Sequence, residues 1–176
     1  VGGVFTAGSL ALTNVTLSAN TGITYTTFYR DPSATSVAIW NTIVQGDGSG
    51  KANCYGTSTG THNLADDATC GSGFTQVASL KIGPLGSYGG STQTMPLLPG
   101  SLAIDGGDAA TCAAAPVSGL DQRGIARPQG AVCDIGAGTS DLAIVSPRGI
   151  ESIGAADVAG DTITEAIAKN LGLAFL

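Results

Sequence analysis

Two stretches near the start of the chain repeat at a constant distance. SLALTNVTLSAN (9–20) aligns with SVAIWNTIVQGD (36–47) at an offset of 27. Leu12 then matches Ile39, Asn14 matches Asn41, Leu17 matches Val44 and Asn20 matches Asp47. In the first copy Leu10 and Leu12 alternate with polar neighbours, and Val15 and Leu17 then alternate on the opposite parity. Side chains in a strand switch face at every residue, so a slip of one at Asn14 marks a corner between two short strands. The second copy slips at Asn41, although Ile43 leaves its far strand ambiguous. Asn suits such a corner because it tolerates a left-handed backbone. Its amide can also bond to the Asn of the neighbouring copy. The pattern therefore predicts a stacked β-solenoid with an Asn14–Asn41 ladder and Leu12, Ile39, Leu17 and Val44 facing one core. The alternative is two unrelated amphipathic strands in a sandwich.

A second stretch, 99–137, concentrates the fixed polar groups: PGSLAIDGGDAATCAAAPVSGLDQRGIARPQGAVCDIGA. It carries Asp105, Asp108, Asp121, Asp134, Arg123, Arg127, Cys112 and Cys133, whereas only 11% of the whole chain is charged. A carboxylate facing a guanidinium can make two parallel charge-assisted hydrogen bonds. Asp121 and Asp134 are therefore expected to pair with Arg123 and Arg127, with the arginines structural and partly buried. A cluster of acids binding a cation or hydrolysing a substrate is the functional alternative.

Composition narrows the classes. A chain of 176 residues is most simply one domain, and 27 glycines with many Thr, Ser and Asn disfavour a helical bundle. A net charge of −6 with seven Lys plus Arg argues against nucleic-acid binding, which basic patches drive. Four cysteines allow three pairings. The sequence-local one, Cys54 with Cys70 and Cys112 with Cys133, closes two loops worth on the order of 3 kcal/mol each by the chain-entropy model. Cystines imply an oxidising compartment. With one histidine and no CxxC spacing, no zinc site or cofactor is expected. The sequence has no apolar run near 18 residues and no signal peptide, and it reads as a processed piece of an exported protein.

Between these stretches, Thr24 to Tyr29 is β-prone, residues 46–73 are loop-rich, and Asn63-Leu64 marks a degenerate further rung 22 residues after Asn41. His62 reads as a loop residue. Asp66 and Asp67, like Asp105 and Asp108, leave calcium binding open, but no loop of alternating ligands follows them. Residues 74–85 predict short strands ending at Gly83-Pro84, Tyr88-Gly89-Gly90 a turn, and 92–98 a last extended stretch. Pro147 stops a short strand. In the tail, Thr162 and Glu165 form a capping box for a helix with Ile163, Ala166, Ile167 and Leu171 on one stripe. The expected division is rungs with loop excursions over 1–98, an Asp/Arg/Cys-rich cap over 99–138, and a tail or further module over 139–176.

The two repeat copies, NCYG…THNLADDATC, the run from GPLGSYGG to LAIDGGD, and DQRGIARPQGAVCDIGA follow one another in an order that resembles bacterial surface proteins with a choice-of-anchor Q domain. These are also seen among polymorphic outer membrane and parallel β-helix repeat proteins. The resemblance covers roughly 1–137. It implies an all-β, right-handed parallel β-helix with a disulfide-bonded, loop-rich C-terminal cap, exported or displayed on a bacterial surface, and brings no catalytic activity. Gly138 and Thr139 stand where relatives carry an aromatic residue and a glutamate.

Three functions fit this reading. The first is a non-catalytic structural or adhesive surface module whose cap closes the end of the solenoid, with surface glycans or other surface proteins as partners. The second is a polysaccharide lyase or glycoside hydrolase using the aspartates of 99–137. The third is a subunit of a surface assembly docking through its tail. Carboxylates exposed in a groove favour the enzyme, and carboxylates buried against arginine favour the structural module.

Overall fold

A computed structural model describes residues 2–56, 58–89, 91–128 and 130–136, together with the backbone course of 144–146 and 149–152. Strands β1 (Val4–Thr6), β2 (Ser9–Thr13) and β3 (Thr16–Ser18) are followed by β4 (Phe28–Arg30), β5 (Ser36–Trp40) and β6 (Ile43–Gln45). Then come β7 (Cys54–Tyr55), β8 (Asn63–Ala65), β9 (Phe74–Gln76), the short helix α1 (Ala109–Ala113) and the pair β10 (Ile144–Ser146) and β11 (Gly149–Ser152). Parallel pairing groups the first nine into three sheets, ordered β1-β4-β7, β2-β5 and β3-β6-β8-β9. β10 and β11 pair antiparallel, just before and after Pro147.

The repeat sets the register. Leu12 lies opposite Ile39 and Leu17 opposite Val44, each across an offset of 27 residues. The corners are where the sequence slips parity: Asn14 and Asn41 adopt left-handed backbone, with φ of 53° and 49°. The third corner falls on His62, φ 57°, and not on Asn63. Consequently β8 pairs Ile43 with Leu64, an offset of 21 where the sequence suggested 22. Asn63 is free to turn inward, accepting from Thr42 N at 2.9 Å and donating to Ile39 O at 2.8 Å.

The four-stranded sheet is covered on both faces. Leu17, Val44 and Ala65 point into one cluster with Phe28, Val37, Ile39, Cys54 and Cys70, against which Leu12 also packs. Ile43 and Leu64 point into a second cluster with Val77, Leu80, Ala103 and Ile135. A strand buried on both faces reads as a continuous apolar run, which is why Ile43 confused the alternation.

The expected right-handed parallel β-helix is not what forms. Successive strands stack in parallel in sheets of three, two and four strands, but no closed coil is shown. Past β9 the pairing changes character. Isolated antiparallel bridges join Ile82 to Leu97, Gly86 to Thr94 and Leu120 to Ala126, so the extended stretch at 92–98 folds back on 82–86. The prolines and turns of this part interrupt the run of donors and acceptors that another parallel strand would need. The Asp/Arg/Cys segment supplies Ala103 and Ile135 to the second cluster. The helix expected from Thr162 and Glu165, Gly90 of the expected turn, and Gly138 and Thr139 lie outside the described residues.

Ile43 is fully buried on the shared sheet. We predict that Ile43→Ala destabilises the protein by ~2–5 kcal/mol, the range for emptying a packed aliphatic site. Urea denaturation checks it, and a loss below about 1 kcal/mol would mean that the second cluster does not depend on the strand.

Candidate functional site

The densest polar centre forms where residues 105–136 meet the Asn corners. Asn41 Nδ2 donates to Asn14 Oδ1 at 3.1 Å and to Asp108 O at 3.1 Å, while Asn41 Oδ1 accepts from Asp108 N at 2.8 Å. Asn14 Nδ2 donates to Gly136 O at 3.0 Å and to Asp134 O at 3.3 Å. Gly136 N in turn donates to Asn41 O. Gly136 has φ 74°, and a Cβ there would meet Ile43 Cδ1 and Thr16 Oγ1, each at 2.8 Å. The close approach of the segment to the corner therefore requires glycine.

Both expected cystines are present, Cys54–Cys70 and Cys112–Cys133. The second sits in the Asn centre. Asn14 and Asn41 each place Nδ2 at 3.3 Å from Cys112 Sγ.

Asp121 and Arg123 make an ion pair with Nη2 to Oδ2 at 2.6 Å, and both side chains are fully buried. Asp121 Oδ1 also accepts from the backbone N–H groups of Arg123 and Ile125. The carboxylate thus folds its own loop around itself, with its charge answered two residues away. Arg127 is partly buried, and its Nε donates to Leu120 O at 3.1 Å. Its Nη1 reaches Gly136 O at 3.4 Å and Asp134 O at 3.5 Å. Asp134 Oδ1 accepts from Asp105 N at 2.8 Å. Burial pushes the Asp134 carboxyl above the ordinary carboxylate range, against the Asp105 hydrogen bond and the Arg127 charge, which pull it down.

The remaining acids serve backbone turns. Asp108 caps α1 by accepting from Thr111 N at 2.7 Å, and its hydrogen bonding to Thr111 holds its carboxyl below the ordinary range. Asp105 Oδ1 accepts from Val132 N at 2.8 Å. Asp66 accepts from Gly46 N and Asn53 Nδ2, and Asp67 from Asn53 N and Thr69. His62 is exposed and bonded to Thr61 Oγ1 at 3.0 Å. Among the described residues no three His, Cys, Asp or Glu side chains converge on a point where a metal ion would sit. No helix among them is long and apolar enough to cross a membrane.

A surface feature escaped the sequence reading. Phe5, Tyr29 and Tyr55 stand in register on β1, β4 and β7. Their rings stack with centroids 5.6 and 4.9 Å apart and planes within 11° of parallel. Tyr25 leans across the row at 5.5 Å from Tyr29 and 5.0 Å from Tyr55. Four of the nine aromatic residues thus gather on one outer face. Phe5 at its end is 59% exposed. The signal was an aromatic residue recurring after 24 and 26 positions, hidden because it departs from the 27-residue offset.

No protein-family model, no curated protein and no solved structure matches this chain.

Two predictions follow from this geometry. Arg123→Ala strands a buried carboxylate and should cost ~3–5 kcal/mol, as breaking buried pairs does. A loss in the range of about 0–1 kcal/mol typical of surface pairs would show that water replaces the guanidinium. The second concerns Asp134. Because burial raises its folded-state carboxyl above the ordinary aspartate value of 3.8, the folded protein holds that proton more tightly than the unfolded chain. Its contribution is fully present below 3.8 and is lost as pH rises through the higher folded value. The melting temperature of Asp134→Asn relative to wild type should therefore climb as pH rises from 3.8. A difference independent of pH would be the contrary result.

Proposed function

We propose that this chain is a non-catalytic extracellular module with a structural or adhesive role at a bacterial surface. The observation that carries the reading is the fully buried Asp121–Arg123 pair, because a charge pair sealed from solvent organises a loop and is closed to substrate. The other acids of the segment point the same way, each accepting from a backbone N–H of a turn or helix end. Two cystines suit an exported protein. The resemblance to surface proteins with a choice-of-anchor Q domain supports the location and rests on the motif order alone. For adhesion, the face presented to a glycan or protein partner is the aromatic row with Phe5 at its open end.

The competing enzymatic reading draws on Asp134, whose raised carboxyl is the kind of shift a general acid uses. Incubation with polygalacturonate, alginate and neutral β-glucans separates the two. We expect no new reducing ends and no unsaturated products. Cleavage abolished by Asp134→Asn, in a variant that retains its fold by circular dichroism, would replace the structural reading with the enzymatic one.

A further inference from the structure

The two cystines occupy opposite chemical surroundings. Cys54 and Cys70 belong to the first apolar cluster, with Leu17, Phe28 and Val37. Cys112–Cys133 lies instead beside N–H groups that bond neighbouring oxygens and also come within reach of its sulfurs. Asn14 Nδ2 is 3.3 Å from Cys112 Sγ and 3.7 Å from Cys133 Sγ. Asn41 Nδ2 is 3.3 Å from Cys112 Sγ, and Arg127 Nη1 is 3.7 Å from Cys133 Sγ. A disulfide sulfur is a weak acceptor, whereas a thiolate is a full anion and takes charge-assisted hydrogen bonds. The same donors therefore bind the reduced state more strongly than the oxidised one, and a cation beside a cysteine lowers its thiol pKa. An apolar site does the reverse. Stabilising the reduced form makes a cystine more readily reduced.

We propose that Cys112–Cys133 is a redox-responsive bridge, reduced by a dithiol at a less negative potential than Cys54–Cys70. One thiolate of the dithiol attacks Cys112 Sγ. The S–S bond breaks, and the electron pair leaves on Cys133 Sγ, beside the Arg127 guanidinium. The second thiol of the reagent then loses its proton and attacks the mixed disulfide. This closes the reagent's own disulfide and releases Cys112 as its thiolate. Two electrons pass from the dithiol to the protein. Because the donors remain in place, Asn14 and Asn41 keep the segment seated while the covalent tie is opened.

The test is a titration of the intact protein with reduced and oxidised dithiothreitol, acid-quenched and alkylated with iodoacetamide. Peptide mass mapping then counts each cysteine pair separately. Cys112–Cys133 should reach half reduction at a ratio of reduced to oxidised reagent at least about tenfold lower than Cys54–Cys70, equivalent to about 30 mV for this two-electron couple. Joint titration, or earlier reduction of Cys54–Cys70, overturns the proposal, and this ordering is decided in wild type whatever any variant does. Arg127→Gln should move only the Cys112–Cys133 midpoint, toward the other pair, and Arg127→Lys should restore most of the gap. A folded Arg127→Gln protein with an unchanged gap would overturn the role given to the arginine.

Discussion

The bond between Asn41 and Asn14 is the contact on which the rest of the molecule turns. Both side chains are fully buried, so every donor and acceptor they carry has to be matched inside the protein. Leaving one unmatched costs ~1–3 kcal/mol. One amide joins two layers 27 residues apart and then reaches Asp108, 67 residues further on. The other reaches Gly136, 122 residues from its own position. Two small side chains thereby fix the lateral spacing of the strands and the seat of the Asp/Arg/Cys segment. The left-handed corners that carry them are what turn the amides inward.

Around this centre, charge is used sparingly and locally. Asp121 meets Arg123 only two residues away and Asp108 accepts from Thr111 N three residues on, whereas Asp105 and Asp134 accept across the segment, from Val132 N and Asp105 N. Local pairing limits the chain entropy lost in bringing opposite charges together. It also explains how a segment with few apolar residues holds a shape: Ala103 and Ile135 anchor it to the sheet, a cystine ties Cys112 to Cys133, and carboxylates hold the turns. Asp134 is the exception, since its burial is only partly offset by the Asp105 N–H and Arg127.

The outer face carries a different kind of order. The stacked rings of Phe5, Tyr29 and Tyr55 follow the strand register, because in-register parallel strands bring equivalent side chains one strand spacing apart, ~4.8 Å. Each ring covers the next, and the row ends on Phe5 because β1 is the edge strand. A surface contact and a stabilising stack are thus the same residues seen from two sides.

The sequence by itself determined the pieces governed by local rules. The parity slips at Asn14 and Asn41 marked the corners, and the constant offset paired Leu12 with Ile39 and Leu17 with Val44. The spacing of the cysteines matched the two bridges. These were legible because a strand reveals its buried face through alternation and a corner through the residue that tolerates it. Tertiary structure decided how the pieces assemble. A closed coil was expected, yet none is shown, and the chain beyond β9 returns antiparallel. Periodicity describes one strand's neighbours and carries no information on whether a third side closes. The corner at His62 and the seat of Gly136 were likewise invisible, since both depend on which distant backbone fills the space beside Asn41. Those contacts join residues tens to more than a hundred positions apart, and only packing in three dimensions selects among them.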